Sequence, residues 1–391
     1  MAARQVILFL VNSLVFVGCG AAPSAGDAAT TDSGAAADVP GGDTGLDASE
    51  SDATPDATRA DASTVDSGPV VEPGPRWIGR HDASDPSMVR MSWSGTGMVL
   101  RFQGTAARVT MNDAGQYYTV VVDGEVQETL AVSGDSQTYT LASDLADAEH
   151  VVELYRRTEG FFGVTRISSV EVDGEMLPVS PPERLIEVVG DSITAGYGVD
   201  GADRNCSFSA ETENHFLTWG AIAARTLGAE LSAVAWSGKG VVHNFGDDRE
   251  QPMPTLYDRT IATEAGSEGG VRPADVVVIN LGTNDYSTSG DPSEDEFVPE
   301  YVRLLEEVRV FHPDALIACT VGPPLGNADM ARARSAIDAA MAIRREAGDA
   351  QLRWVDLDGF SDWGCDSHPG DETQALLAED LVTFLRAELG W

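Results

Sequence analysis

Between Trp77 and about Val179, short runs alternate apolar and polar residues, among them Met98-Val99-Leu100-Arg101-Phe102, Ala107-Arg108-Val109-Thr110-Met111 and Tyr117-Tyr118-Thr119-Val120-Val121-Val122. Alternation with period two puts every second side chain on one face of a pleated strand. Gly, Asp and Ser turns recur at intervals of about ten residues, so the region predicts a small all-β, jelly-roll-like sandwich. Asp123-Gly124 and Asp173-Gly174 are dipeptides that suit hairpin turns between such runs.

The pattern changes at Leu185. Apolar runs at Leu185 to Val189, Leu231 to Ala235, Asp275 to Leu281, Leu316 to Val321 and Leu352 to Leu357 read as strands buried on both faces, which is the signature of a parallel sheet. Between and after them lie stretches of helical periodicity at Asn214 to Leu227, Phe297 to Val310, Met330 to Ala347 and Thr373 to Leu389. The alternation predicts a doubly wound α/β/α domain on a parallel five-stranded sheet, whose active site belongs at the carboxyl ends of the strands.

Two further segments precede these domains. Residues 1–19 carry Arg4 and then an apolar run from Val6 to Val17, the pattern of a secretory signal too short to span a bilayer comfortably. The run ends Phe16-Val17-Gly18-Cys19, which resembles a bacterial lipobox; Cys19 would then be lipidated and hold the exported chain at a membrane, whereas Phe16 departs from the usual aliphatic residue and leaves ordinary signal cleavage open. Residues 20–75 are Ala, Asp, Ser, Thr, Gly and Pro with almost no large apolar side chain, so they cannot bury enough surface to offset chain entropy and are expected to form a disordered acidic tether. The expected organisation is signal 1–19, tether 20–75, sandwich 76–180 and α/β domain 183–391.

The formal charge of -38 excludes nucleic acid as a partner, since such binding rests on cations neutralising phosphates. Export places the cysteines in an oxidising compartment. Cys319 lies in the apolar run Ala315 to Val321 and reads as a buried free thiol, so the expected disulfide joins Cys206 to Cys365.

Three short motifs fall at the expected strand ends. Gly190-Asp191-Ser192-Ile193 follows the first strand, Trp236-Ser237-Gly238-Lys239-Gly240 the second, and Gly282-Thr283-Asn284-Asp285 the third. A serine on a strand-to-helix turn presents its hydroxyl outward beside backbone N–H groups. Cys365-Asp366-Ser367-His368-Pro369 lies near the C-terminus, ahead of the last helix. The ordered set Ser192, Gly238, Asn284 and His368 resembles the SGNH or GDSL hydrolases. That resemblance implies Ser192 as nucleophile, His368 as general base, and the Ser192 and Gly238 N–H groups with the Asn284 side chain as the oxyanion hole. Of the other five histidines, His81, His150, His215 and His312 read as structural, and His243 is the one rival base.

The SGNH pattern places Asp three residues before the histidine, where this chain has Cys365. The imidazole must be oriented by the Asp366 side chain, by a backbone carbonyl of the Cys365 to Asp366 stretch, or by Asp362; a Ser-His dyad aided by a carbonyl is the favoured arrangement. The sandwich followed by this domain, with Arg156-Arg157-Thr158-Glu159-Gly160 and GDSITAGYG from Gly190 to Gly198, looks like carbohydrate esterase family two. The resemblance implies an acetyl xylan esterase-like enzyme that deacetylates polysaccharides of the xylan or glucomannan type and in which a dyad is tolerated.

Lys239 is the chain's single lysine, either a remnant of biased composition or a compact cation beside Gly238. Phe245 and Trp363 are candidate stacking faces for a pyranose ring, with core packing the alternative. No HExxH or spaced Cys/His cluster points to a metal, and no phosphate-cradling glycine loop points to a nucleotide, so no cofactor is expected. The expected protein is a monomeric, exported polysaccharide esterase; the alternatives are a general lipid or aryl esterase and a carbohydrate-binding protein with a vestigial site.

Overall fold

The computed structural model describes residues 71–391 apart from 114, 268, 270, 289 and 324. The signal segment, Cys19 and nearly all of the tether lie outside the described residues. The described residues from 71 to Trp391 form one compact unit built of an antiparallel β-sandwich and a parallel α/β layer structure.

The sandwich is organised by one long strand, Gly97–Asn112, which pairs with Ala148–Arg156 over its first half and with Gln137–Ala142 over its second, while Thr165–Leu177 runs antiparallel beside it. Met98, Leu100, Phe102, Val109 and Met111 from this strand enter the same buried core as Tyr118, Val120, Val152 and Leu154. Two expectations are corrected here. The runs at Met98 and Ala107 are one strand rather than two, and Asp173-Gly174 lies inside Thr165–Leu177 instead of turning a hairpin. The cause is a close backbone approach: a Cβ on Gly174 would sit 2.0 Å from the Gln103 carbonyl oxygen and one on Gly104 2.2 Å from that of Asp173. Glycines here permit a bulge where the long strand changes partner. Asp123-Gly124 does turn a hairpin, between Gln116–Val122 and Glu125–Val126.

The second sheet has the spatial order Glu230–Ala235, Leu185–Gly190, Val276–Asn280, Leu316–Thr320, Leu352–Trp354, parallel throughout. Val276–Asn280 is wholly buried, as β-branched residues covered on both faces should be. Helices Trp219–Leu227 and Asp371–Leu389 pack on one face through Trp219, Leu227, Leu377 and Leu381. Helices Glu294–Phe311 and Asn327–Glu346 cover the other through Phe297, Leu304, Ile337 and Met341. A capping box of Ser293 and Glu296 starts the third of these helices. The helix expected over Asn214 to Leu227 is divided: His215–Leu217 is a single 3₁₀ turn, and Thr218, extended, caps the helix that follows. His215 causes the break, because its buried ring is held by the Thr194 carbonyl at 3.1 Å.

The sandwich is fastened to the α/β layers by buried polar side chains. Arg80, 1% exposed, reaches Glu187 on the strand Leu185–Gly190 at 3.0 Å, and Glu187 also accepts hydrogen bonds from Tyr257 at 2.8 Å, Ser232 at 2.9 Å and His312 Nε2 at 3.0 Å. Trp93 joins the α/β core, donates to the Arg259 carbonyl at 3.0 Å and meets Trp236 edge-on. Arg157 crosses to Asp200 and to the Glu211 and Glu213 carbonyls.

Candidate active site

The sheet order reverses direction at Leu185–Gly190, whose neighbours continue the chain to either side, and the crevice at such a switch point is where α/β sheets bind ligands. The strand ends in Gly190 because nothing larger fits: a Cβ there would lie 2.1 Å from Thr194 Oγ1. Asp191 then caps the short helix Ser192–Ala195 by accepting from the Ile193 N–H at 3.1 Å, and Ser192 opens that helix.

Ser192 Oγ lies 2.9 Å from His368 Nε2. His368 follows the 3₁₀ turn Cys365–Ser367, in which Asp366 and Ser367 have left-handed φ of 49° and 61°. Such a backbone must be held by its surroundings. Here the Cys365 N–H donates to the Gly198 carbonyl at 3.0 Å, Asp366 N–H to Cys206 at 2.9 Å and Ser367 N–H to Arg204 at 3.2 Å. Cys206 and Cys365 form a disulfide, and Cys319 is a buried free thiol.

The two candidate carboxylates for orienting His368 are engaged elsewhere. Asp366 accepts from the Tyr197 hydroxyl at 3.0 Å and the Phe208 N–H at 3.1 Å, and Asp362 accepts from the Thr373 N–H at 2.8 Å. The left-handed φ at Asp366 belongs to the turn that brings it to Tyr197. Burial pushes His368 below its ordinary value, opposed by the neighbouring carbonyls of Asp366 and Cys365 and by the Asp366 charge. A neutral ring is therefore favoured, which is the form a general base needs.

The second motif forms a tight turn after Glu230–Ala235. Lys239 N–H donates to the Trp236 carbonyl at 3.2 Å, and Gly238 takes φ +77°, a left-handed conformation that suits glycine. Asn284, on the helical turn Thr283–Tyr286 after the third strand, links the motifs: its Nδ2 donates to the Lys239 carbonyl at 2.9 Å and lies 3.3 Å from Asp191 Oδ2. The turns bearing Ser192, Gly238 and Asn284 are thus joined directly. Lys239 itself points its ammonium to the Glu250 carbonyl at 2.9 Å, and burial lowers its pKa. His243, the rival base, is buried and gives its backbone N–H to Asp285.

Phe245 is 67% exposed beside the Gly238 turn, its N–H donating to the Gly238 carbonyl at 2.8 Å. Trp363 packs edge-on against Phe360 and under the Arg204 guanidinium, 4.9 Å from its ring.

Several residues were not singled out from the sequence. Tyr197 lays its ring 4.2 Å from that of His368 and stacks on Phe208 at 3.7 Å. Asp285 grips the N–H groups of Val241, Val242 and His243 at 2.8 to 2.9 Å, fixing the chain after the Gly238 turn. Burial raises Asp285, against those bonds, and pushes Asp191 up to about 7. Asp285 directly follows Asn284 in the third motif, which is the sequence signal for it; Tyr197 lies within the GDSITAGYG stretch but carries no chemistry of its own there.

Residues 77–182 match the Carbohydrate esterase 2 N-terminal family, and residues 188–380 match the GDSL-like Lipase/Acylhydrolase family. A family two carbohydrate esterase from Clostridium thermocellum, solved in complex with cellohexaose, superposes with a TM-score of 0.78 at 35% identity over 81% of this chain and 100% of its own. This chain belongs to carbohydrate esterase family two. As a hydrolase of that family it is also similar to the cellulase/esterase CelE of Acetivibrio thermocellus, 37% identical over 331 residues, 82% of this chain but only 40% of CelE. An acetylxylan esterase / glucomannan deacetylase of Cellvibrio japonicus is 24% identical over 80% of this chain and 88% of its own length. Among the described residues no group of His, Cys, Asp or Glu could hold a metal ion, and no helix is long and apolar enough to cross a membrane.

Proposed function

We propose that the protein removes O-acetyl groups from polysaccharide, by a Ser-His acyl-enzyme mechanism. The observation that carries this is the 2.9 Å contact between Ser192 Oγ and His368 Nε2, at the switch point of an esterase-family sheet. Ser192 Oγ attacks the acetyl carbonyl carbon as its proton passes to Nε2, and the carbonyl oxygen becomes an oxyanion facing the Ser192 and Gly238 N–H groups and the Asn284 amide, which exchanges its longer 3.3 Å contact with Asp191 for the oxyanion. Collapse breaks the ester bond; the departing sugar oxygen takes the proton from Nε2 and the acetyl group stays on Ser192. Water, deprotonated by His368, then attacks that acyl group, and acetate leaves with Ser192 restored. In the place of the usual carboxylate stand the neighbouring backbone carbonyls of Cys365 and Asp366, which oppose the depression of His368 although its Nδ1 makes no hydrogen bond among the described residues, so the imidazolium that forms twice in the cycle is held as a Ser-His dyad.

Xylan-like or glucomannan-like chains are the proposed substrates, supported by the Cellvibrio relative, an acetylxylan esterase / glucomannan deacetylase, and by the cellohexaose bound to the Clostridium relative. Phe245, exposed beside the oxyanion turn, is the proposed stacking face. The signal and Cys19 lead us to place the protein outside the cytoplasm on a lipid anchor, which the mass of the mature N-terminus tests. For the activity, acetate release is measured from acetylated xylan, acetylated glucomannan and an aryl acetate, with Ser192→Ala alongside. Serine-dependent release from the polysaccharides is expected. Activity on the aryl acetate alone would refute the carbohydrate assignment, and a folded protein inactive on all three would leave a carbohydrate-binding protein.

A further inference from the structure

The loop Arg156 to Gly160 leaves the sandwich and enters the α/β domain beside the second motif. Its Glu159 is fully buried, and both carboxylate oxygens are taken by one residue of the oxyanion turn: Ser237 donates its backbone N–H to one and its hydroxyl to the other. Ser237 directly precedes Gly238. Gly160 packs close by, where a Cβ would lie 2.6 Å from Ala262 Cβ and 3.6 Å from the Trp236 ring.

A second acid, Glu213, is also fully buried, near enough for the Glu159 charge to raise it, and neither of its carboxylate oxygens has a hydrogen-bond partner among the described residues. Its chain segment is pinned from both sides: Arg157 binds the Glu213 carbonyl at 3.2 Å, and the Asn214 N–H donates to the Gly196 carbonyl at 3.0 Å, at the end of the helix that Ser192 begins. Arg156 is the cation facing the pair, and it is buried among the Thr158, Glu159 and Gly163 carbonyls and Asp113. The buried Asp191 carboxyl of the first motif is itself raised by like charge from Asp285 and Glu159. Burial raises the Glu159 and Glu213 carboxyls above the ordinary carboxylate range, and the Glu159 charge raises Glu213 further.

We propose that Glu159 is a positioning residue for the esterase reaction: by binding both polar groups of Ser237 it sets the Gly238 N–H that faces the oxyanion, so the sandwich domain completes the active site. The inference rests on the esterase reading above. A sandwich that served only to widen a substrate cleft would have no need to place a buried acid on the oxyanion turn, and an acid that served only to join two domains would have no need to bind one residue with both of its oxygens.

The test is steady-state kinetics of the full chain on an aryl acetate, with Glu159→Ala, Glu159→Gln and Ser192→Ala compared. A misplacement of about 1 Å at a catalytic donor can cost about 100-fold in rate. Glu159→Ala is therefore expected to lower kcat by about 10-fold to 100-fold and to leave KM within about threefold, because the oxyanion exists only after substrate has bound. Glu159→Gln keeps an acceptor for the Ser237 N–H and gains an amide that can donate to Ser237 Oγ and to Glu213, so it is expected to recover most of the lost kcat. Should Glu159→Ala not fold, Ser237→Ala, which removes one of the two contacts, is expected to show a smaller fall of the same kind. Unchanged kcat in folded Glu159→Ala, or a rise in KM with kcat intact, overturns the inference alone. A wild type without Ser192-dependent activity overturns the esterase reading and this inference with it.

Discussion

Replacing Arg80 by Met probes what holds the two domains together. Arg80 descends from the sandwich into the α/β core, where its guanidinium lies 3.0 Å from Glu187 and 4.8 Å from the Tyr257 ring. Both ends of the pair are 1% exposed. Burial alone would raise Glu187; the Arg80 charge is the chief opposing influence, followed by the bonds from His312 and Tyr257, and together they lower it from 4.5 to about 2. At about 1.36 kcal/mol per pH unit, that drop corresponds to about 3 kcal/mol of native-state stability. Because the carboxyl is depressed, the contribution is complete above its unfolded value of 4.5 and disappears as pH falls through about 2. Removing Arg80 strands a buried carboxylate, for which losses of about 3 to 5 kcal/mol are usual. Urea unfolding at pH 7, followed by tryptophan fluorescence, should show a loss of that size. The gap between wild type and variant should narrow as pH falls toward about 3, with Glu187 protonated more readily in the variant. A remainder independent of pH will reflect the lost bonds to the Tyr257 and Arg259 carbonyls. Adding Glu187→Gln to Arg80→Met should recover part of the loss. A loss under about 1 kcal/mol, or one equally large in acid and at neutrality, would refute this account.

Three further outcomes are expected. Asn284→Ala should lower kcat by about 100-fold to 1000-fold with the thermal midpoint nearly unchanged, and a kcat within about threefold of wild type would remove Asn284 from the oxyanion hole. Since burial depresses His368, the ring stays neutral below the ordinary histidine value of 6.5, and the acid limb of kcat/KM should fall below that pH; an acid limb above 6.5 would contradict the burial argument. The Cys206–Cys365 disulfide closes a separation of 159 residues, for which chain entropy implies about 5 kcal/mol, so Cys206→Ser should lower stability by about 2 to 5 kcal/mol and reduce kcat as the His368 loop loosens. Equal kcat in the reduced and oxidised protein would separate the disulfide from catalysis.

The domain types and the places of Ser192, Gly238 and Asn284 were legible in the sequence because they depend on local pattern. Alternation fixes a half-buried strand and continuous apolar runs fix a covered one, and a parallel sheet must present its active residues at the ends of those runs. Where local pattern misled, at Asp173-Gly174 and at Thr218, a long-range contact had overruled it: the Gln103 carbonyl against Gly174 and the Thr194 carbonyl against His215. The setting of His368 shows the same division. That it lacks Asp at position 365 is a fact of sequence, but the engagement of Asp366 by Tyr197 and Phe208 required the folded loop, because partners 169 and 158 residues apart carry no periodicity that could pair them in advance. Arg80 under Glu187 and Glu159 under Ser237 are decided in the same way, by the docking of one domain on another. A charge in a sequence is ordinarily a solvated charge, and only the tertiary structure shows which few are buried, where each needs a partner and acquires one by position rather than by pattern.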